Sequence, residues 1–403
     1  MKRQKLMSWL GATLCGAIGI AFVAAADTPT TAPVAVAVTA QNVDQVAQQL
    51  IDQGCDYLKS AQLPDGGWAP PQAPLGITGL ALKALVQDPA DTIKEPFVRK
   101  GFDKLLSYQM PGGGIFKDTL ATYNTAVAVS ALAAADDPSL RPQLDKAIAY
   151  LRTMQWNDRV VGPKGETISD PKYAAFAGGF GYGRSGRPDL SNTQFALDAL
   201  HEAGLKPDDE AFKNALAFIT RCQNRSESNN LPWAGNDGGF IYVPSSGGSS
   251  EAGSYSMADG HTGWTSYGSM TYAGLKSMIY CGLTHDDPRV QAAIDWIKSH
   301  WTFDENPGMG VTDPARSQNG LYYYFQTMSK ALDAYGVPVM TDSQGKAHDW
   351  RVELIAELAT LQHPDGSWVG QHRWMEDNPV ITTSYCVMAA EEARKSLALH
   401  PAK

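Results

Sequence analysis

Four carboxyl side chains in this 403-residue sequence are candidates for acid chemistry: Asp118, Asp189, Asp313 and Glu376. A carboxylic acid protonates a weakly basic centre only when burial and its neighbours tune its proton affinity. Asp118, Asp313 and Glu376 precede apolar helical segments, where a loop could hold an acid at the end of a cavity. Asp189 stands directly before Leu190-Ser191-Asn192-Thr193, which predicts a helix N-cap. Asp259, His261 and His372 are candidate metal ligands, and His372 lies close to Glu376 and Asp377. No HExxH or paired CxxC spacing accompanies them, so they read as solvated loop polars, with no metal and no cofactor expected. Aromatic side chains form the largest set. Tyr123, Phe195, Trp264, Tyr267, Tyr323, Tyr324 and Tyr385 fall on or near apolar helical segments, where ring faces could line a cavity and stabilise a cation. Tyr322-Tyr323-Tyr324-Phe325 cannot all point one way, because successive helical residues turn by ~100°; one or two of them should face inward.

A repeated phrase sets the elements that must position these groups. An amphipathic helix leads to a glutamine, then to a glycine turn closed by an aromatic ring. Gln62 precedes Gly66-Gly67-Trp68, and Gln362 precedes Gly366-Ser367-Trp368. Looser copies place Gln109 before Gly112-Gly113-Gly114-Ile115-Phe116, Gln155 before Gly178-Gly179-Phe180, and Gln223 before Gly238-Gly239-Phe240. A sixth has Trp301 in the glutamine's place, before Gly308-Met309-Gly310. Self-similarity on this scale decides architecture.

In the first copy Val46, Leu50, Gly54 and Tyr57 share one helical face. The segments after the turns, at 75–86, 119–135, 192–203, 264–281, 320–335 and 381–393, are apolar on all sides, and such helices are enclosed by others. Six helix pairs with buried second members predict an all-α (α/α)6 toroid. An open solenoid needs polar capping repeats at its ends. Here the first and last copies match the phrase best, which favours closure. The glutamine and the ring are expected at the C-terminus of each outer helix, satisfying its orphan carbonyls.

The phrase resembles the QW repeat of squalene–hopene cyclases, and the helix pairing is similar to that of protein prenyltransferase β subunits. The resemblance spans about residues 42–397. It implies a terpenoid cyclase/prenyltransferase-like toroid around a central cavity. In the cyclases a D-x-D-D-T segment opens an inner helix, and its middle aspartate is the acid. Here Asp189 and Thr193 are kept, but Ser191 and Asn192 occupy the acid positions. Against the zinc site of the prenyltransferases, Thr265 and Tyr267 stand at the D-x-C pair and Thr382 at the histidine. The stretch 253–263 also lacks Lys or Arg for a diphosphate. The thioester motif C-G-E-Q of complement-type toroids is left after Cys281-Gly282, which reads as a helix end.

The sequence therefore predicts a toroid that binds an apolar, isoprenoid-like small molecule without the family's standard chemistry. One alternative is a divergent cyclase or transferase with its acid relocated to Asp118, Asp313 or Glu376. Another is a polysaccharide-acting (α/α)6 enzyme, or a scaffold for protein interaction.

A formal net charge of -9 and the lack of a basic stripe argue against nucleic acid as a partner. Lys2, Arg3 and Lys5, an apolar run, and Ala24-Ala25-Ala26 predict a signal peptide over 1–26 and export to the periplasm or the exterior. The alternative is a membrane anchor through 9–25. A Thr/Pro/Ala-rich linker follows at 27–41, then the toroid at 42–397 and a tail at 398–403; contact with a membrane surface would suit an apolar ligand. Cys55, Cys222, Cys281 and Cys386 are expected as small buried hydrophobes.

Overall fold

Two kinds of helix alternate along the chain. The first kind buries a single stripe: α1 (Val43–Ser60) hides Val43, Ala47, Leu50, Ile51, Gly54, Cys55 and Leu58 and leaves its other face to solvent. The second kind is buried all round: α2 (Gly76–Gln87) hides every residue from Gly76 to Leu85. The striped set continues with α3 (Pro96–Leu106), α5 (Arg141–Arg152), α7 (Glu210–Arg221), α9 (Pro288–Ser299) and α11 (Trp350–Leu361). The enclosed set continues with α4 (Ala121–Ala134), α6 (Leu190–Glu202), α8 (Gly268–Tyr280), α10 (Leu321–Tyr335) and α12 (Pro379–Leu399). These elements belong to a computed structural model that describes residues 37–402 apart from 71, 89–91, 161, 163, 184–185 and 246. The expected signal 1–26, the alternative anchor 9–25 and the linker up to residue 36 lie outside the described residues.

Successive enclosed helices pack side by side, and α12 returns against α2 to close the ring. The striped helices surround them, with α1 lying chiefly against α12. This is the (α/α)6 toroid: six inner helices and six outer ones. Two short antiparallel hairpins decorate it, β1 (Ser254–Ser256) with β2 (Thr262–Trp264) and β3 (Val339–Thr341) with β4 (Ala347–Asp349). No helix among the described residues is long and apolar enough to cross a membrane.

The repeated phrase works differently from expectation in one respect. The ring does reach the C-terminus of its outer helix: Trp68 Nε1 donates to the Leu58 carbonyl at 2.6 Å, and Trp368 Nε1 to that of Leu358 at 2.9 Å. The glutamine instead links neighbouring repeats. Gln62 Nε2 donates to Gly66 O and to Phe97 O, at the start of α3. Gln109, Gln155 and Gln223 reach Gln143, Ala211 and Arg289 of α5, α7 and α9 in the same way. Trp301 fulfils the role with its indole, donating to Glu353 Oε2 of α11 at 2.9 Å. Gln362 completes the circuit by donating to Leu50 O of α1. Each such bond contributes about 0.5–1.5 kcal/mol net, and together they hold six outer helices in sequence.

The glycine turn is needed for this approach. Gly178 sits at φ 85° and Gly366 at φ 86°, and a Cβ at either would strike the carbonyl of Asn214 in α7 or Gln53 in α1. A threonine in the first turns of the inner helix then accepts the backbone N–H of the residue closing the turn, an aromatic residue in four copies and Ile115 in the second. Thr78, Thr125, Thr193, Thr271 and Thr383 do this at 3.0–3.1 Å. Thr193, the residue that keeps the last letter of the cyclase motif, is therefore one copy of a structural device. Thr382, at the zinc-histidine position, is fully buried and bonds to the Trp368 carbonyl. Gly282, at φ 88°, ends α8 as expected of a C-cap. Cys55, Cys222 and Cys386 are buried.

Candidate active site at the amino-terminal end of the inner helices

The first turns of all six inner helices surround a cavity of about 260 Å³. Ile77 of α2, Tyr123 of α4, Ser191 and Phe195 of α6, and Ser269 and Met270 of α8 form part of its wall. Tyr323 of α10, with Ile381 and Tyr385 of α12, completes the ring. Loop residues Tyr182, Tyr242, Glu251, Tyr267, Trp374, Met375 and Glu376 also line it. The rings pack on each other: Phe195 meets Tyr123 edge-on at 5.2 Å and stacks on Tyr323 at 5.8 Å, and Tyr323 lies 5.9 Å from Tyr385. Burial raises the hydroxyl pKa of Tyr123, Tyr267, Tyr323 and Tyr385, so these phenols stay neutral and act as hydrogen-bonding groups.

Glu376 is the more deeply buried of the two carboxyl groups on the cavity wall. It is 1 % exposed. Its Oε1 accepts the Tyr323 backbone N–H at 2.8 Å, and the amides of Gly320, Leu321 and Tyr322 at the α10 N-terminus also favour its charged form. Its Oε2 is buried with no protein partner among the described residues. Burial outweighs the amides and pushes its pKa up to about 8, so the proton is held at neutral pH. The amides remain poised to stabilise the carboxylate once the proton leaves.

The segment that delivers Glu376 is strained. Trp374 and Met375 both adopt left-handed backbone conformations, φ 56° and 66°, and Leu120, ahead of α4 on the same cavity, has φ 55°. Such residues cost about 1–3 kcal/mol each and gather at functional sites. Three of the four non-glycine residues with positive φ among the described residues line this one cavity.

Asp189 provides a contrast. Burial raises its pKa to about 7, but both of its oxygens are engaged. Oδ1 accepts the Asn192 backbone N–H at 2.7 Å and Oδ2 the Asn192 side-chain amide at 2.8 Å, so it is an N-cap with no free oxygen. The second carboxylate on the cavity wall is Glu251, paired with Arg373 at 2.7 Å, whose guanidinium lies over the Trp374 ring.

Several residues singled out from sequence lie elsewhere. Asp118 is exposed outside the cavity. Asp313 is an exposed N-cap, accepting the Ala315 N–H. Trp264 belongs to β2 and packs beside Trp233, its indole bonded to Gly247 O, because the inner helix starts at Gly268 instead of at 264. Tyr324 points away from the lumen and donates to Thr302 O at 2.8 Å; of the Tyr322–Phe325 run, Tyr323 lines the cavity. Asp259 and His261 form one exposed pair, and His372 with Asp377 another. The described residues contain no group of three His, Cys, Asp or Glu side chains placed to hold a metal ion.

Sequence reading missed Glu251, Tyr182 and Tyr242, which come from loops between repeats. It also missed a cluster of charges deeper in the lumen, one to two turns along the inner helices. Lys276 of α8 donates to Asp198 of α6 at 2.7 Å; Lys330 of α10 and Lys83 of α2 each reach Glu202 of α6 at 2.5 Å. Burial lowers Lys276 to about 8 against the pull of Asp198. Burial alone would raise Glu202, but Lys330 and Lys83 overcome it and hold the carboxyl well below its ordinary range. Single charges within otherwise apolar inner helices were the available signal. A groove of about 390 Å³ beside α5 and α7 exposes its charged side chains, such as the paired Arg159 and Glu210.

No family model matches the sequence, and no curated protein matches it. Solved structures do resemble the chain. The apo form of the type II terpene cyclase MstE from Scytonema aligns at a TM-score of 0.53 and 15 % identity, covering 88 % of this chain and 100 % of that one. A complex of an MstE variant with its product, merosterolic acid A, aligns at 0.54 and 13 % identity, over 89 % and 99 %. An unsaturated glucuronyl hydrolase specific for heparin aligns at 0.54 and 13 % identity, over 89 % and 100 %. Identities this low establish a shared (α/α)6 toroid, a scaffold that carries unrelated chemistries.

Proposed function

We propose that this toroid is an acid-dependent enzyme acting on an apolar, isoprenoid-like ligand, with Glu376 as its general acid. One observation carries the reading: a buried carboxyl with one oxygen held by the α10 N-terminus and the other left without a partner, on the wall of an aromatic cavity. Protonation of an alkene or ether oxygen would generate positive charge, which the faces of Tyr123, Phe195, Tyr323 and Tyr385 can stabilise. The proton then comes from the loop before α12 instead of from α6, where Ser191 and Asn192 stand in place of the cyclase acid. The terpene cyclase complexes with geranylgeranyl dihydroxybenzoate and with merosterolic acid A support an apolar ligand for the same kind of lumen. Export directed by residues 1–26 belongs to the same proposal, and amino-terminal sequencing of the mature protein tests it.

Glu251 favours a second reading, in which two cavity carboxylates and ring platforms act on a sugar, as two carboxyl groups do in most glycosidases. Arg373 pairs with Glu251, which leaves Glu376 as the cavity carboxyl that holds its proton and faces no countercharge, so the first reading stands ahead. The test is incubation of wild type and Glu376→Gln with squalene, prenylated arenes and unsaturated uronic-acid oligosaccharides, with products read by mass spectrometry. Conversion of a prenyl compound, lost in Glu376→Gln, is the expected result. Sugar release that requires both Glu251 and Glu376 would overturn it, as would prenyl turnover undiminished in the variant.

A further inference from the structure

A chain of hydrogen bonds with a fixed direction runs from the buried charges to the cavity wall. Lys276 Nζ lies 2.7 Å from Gln194 Oε1. An ammonium can only donate, so the amide oxygen of Gln194 must face the lysine and its NH2 must face the other way. That NH2 donates to the Tyr323 hydroxyl at 3.0 Å. The Tyr323 hydroxyl is also 3.0 Å from Ser191 Oγ. Ser191 and Tyr323 thus carry two hydroxyl protons, and the bond between them uses one. Gln194 presents a donor to this pair and can accept neither. Among the described residues neither hydroxyl has another partner. Whichever of the two donates to the other, one O–H is left over, and both groups line the cavity.

We propose that the Ser191–Tyr323 pair is a donor subsite that selects ligands bearing an acceptor oxygen, such as a carbonyl or an ether. The proposal rests on reading the cavity as a ligand site, and it adds the requirement that the ligand be oxygenated at this point. Lys276 and Gln194 are positioning residues: they touch no ligand, and by turning the amide NH2 toward the pair they keep Gln194 from accepting the surplus proton. A pure hydrocarbon would bury the surplus O–H without a partner, a desolvation loss that an oxygenated ligand avoids.

The experiment is calorimetric titration of the full chain with isoprenoid methyl ketones of increasing length and with hydrocarbons of matching shape. Wild type should prefer the ketone by roughly tenfold or more. Gln194→Glu keeps the bond to Lys276 but turns a donor into an acceptor. It would draw in the Tyr323 proton, let Ser191 donate to Tyr323, and erase the preference. Gln194→Met offers neither donor nor acceptor, so the surplus proton and the preference should persist; a merely structural role for Gln194 would make both variants alike. Equal binding of ketone and hydrocarbon by wild type overturns the donor subsite and leaves the cavity reading intact. So does a ketone preference that survives in Gln194→Glu. Failure of every ketone and hydrocarbon to bind wild type overturns the cavity reading and the subsite with it. The wild-type comparison alone decides the matter if Gln194→Glu does not fold.

Discussion

At its deeper end the lumen holds three ammonium groups and two carboxylates from four helices, and each faces an opposite charge: Lys276 with Asp198, and Lys83 and Lys330 with Glu202. At its other end it holds Glu376, Ser191 and Tyr323, which are similarly enclosed but not saturated. Both ends bury polar groups in the same barrel, where an unpaired one is costly. Asp198 Oδ1 and Glu202 Oε2 also have no partner among the described residues, but they belong to groups neutralised by ammonium ions and lie outside the cavity wall. The difference is that Glu376, Ser191 and Tyr323 face the cavity and meet no countercharge. Paired charges close the lumen and fix the inner helices against each other. A buried carboxyl oxygen and a surplus hydroxyl proton with no protein partner stabilise nothing by themselves, which is what a site reserved for another molecule requires.

The comparison breaks most easily at the charged end. Asp198→Leu leaves Lys276 without its carboxylate and should cost about 3–5 kcal/mol of stability, read by denaturant unfolding. Replacing Asp198 and Lys276 together by methionine should recover most of that loss, because Lys276 is then gone and Lys330, which also reaches Asp198 at 3.4 Å, keeps Glu202. If Asp198→Leu is as stable as wild type, the cluster is not what closes the lumen.

At the cavity end the expected loss is in activity. Glu376→Gln should lower turnover by roughly 10²–10⁴-fold, while the folded state at neutral pH should be at least as stable as wild type, because the amide has no proton for the unfolded chain to release. A variant that unfolds instead would make Glu376 a structural residue.

The two ends should also answer pH in opposite senses. Glu376 binds its proton more tightly folded, at about 8, than at its ordinary value of 4.5. Its contribution to stability is therefore complete below pH 4.5 and is lost as the pH rises to about 8. Turnover that uses its proton falls across the upper part of the same window. Lys276 binds its proton less tightly folded, at about 8 against 10.5. The folded state gains from it as the pH rises from about 8 to 10.5. Each slope should amount to roughly 3–5 kcal/mol across its window, and each should vanish separately in Glu376→Gln and Lys276→Met when melting is followed against pH. The smallest effect is expected outside both ends. His372→Ala removes one member of an exposed ion pair, and neither melting nor turnover should change, with or without added zinc.

Architecture was legible in the sequence because repetition wrote it six times, and because the glycines at the turns have a steric reason to be there. The cavity was legible in part. Tyr123, Phe195, Tyr267, Tyr323 and Tyr385 announced themselves as rings near the starts of apolar helices, and Glu376 as a carboxyl in the loop before the last one. Trp264 and Tyr324 failed that reasoning for local causes: a hairpin delays the start of α8, and a helix face turns by about 100° per residue. Asp118 and Asp313 matched Glu376 in type and in place. What separates them is a pair of left-handed residues, Trp374 and Met375, which fold the chain inward ahead of Glu376, and no side-chain pattern announces that. The charged cluster was overlooked because each member is a lone ion on its own helix, and only closure of the ring makes them neighbours.

The bond from Gln362 to the Leu50 carbonyl joins positions 312 apart in the chain, and α1 finds its main partner in α12. Synthesis delivers the first of these helices at the start and the second at the end. Contacts so distant in sequence are slow to form, since the loop between them must be closed first. A growing chain can assemble an arc of helix pairs as it emerges, but the arc has no lumen to enclose. Until α12 arrives, the part of the α1 stripe that it covers waits exposed, and such exposed apolar surface is a liability for aggregation.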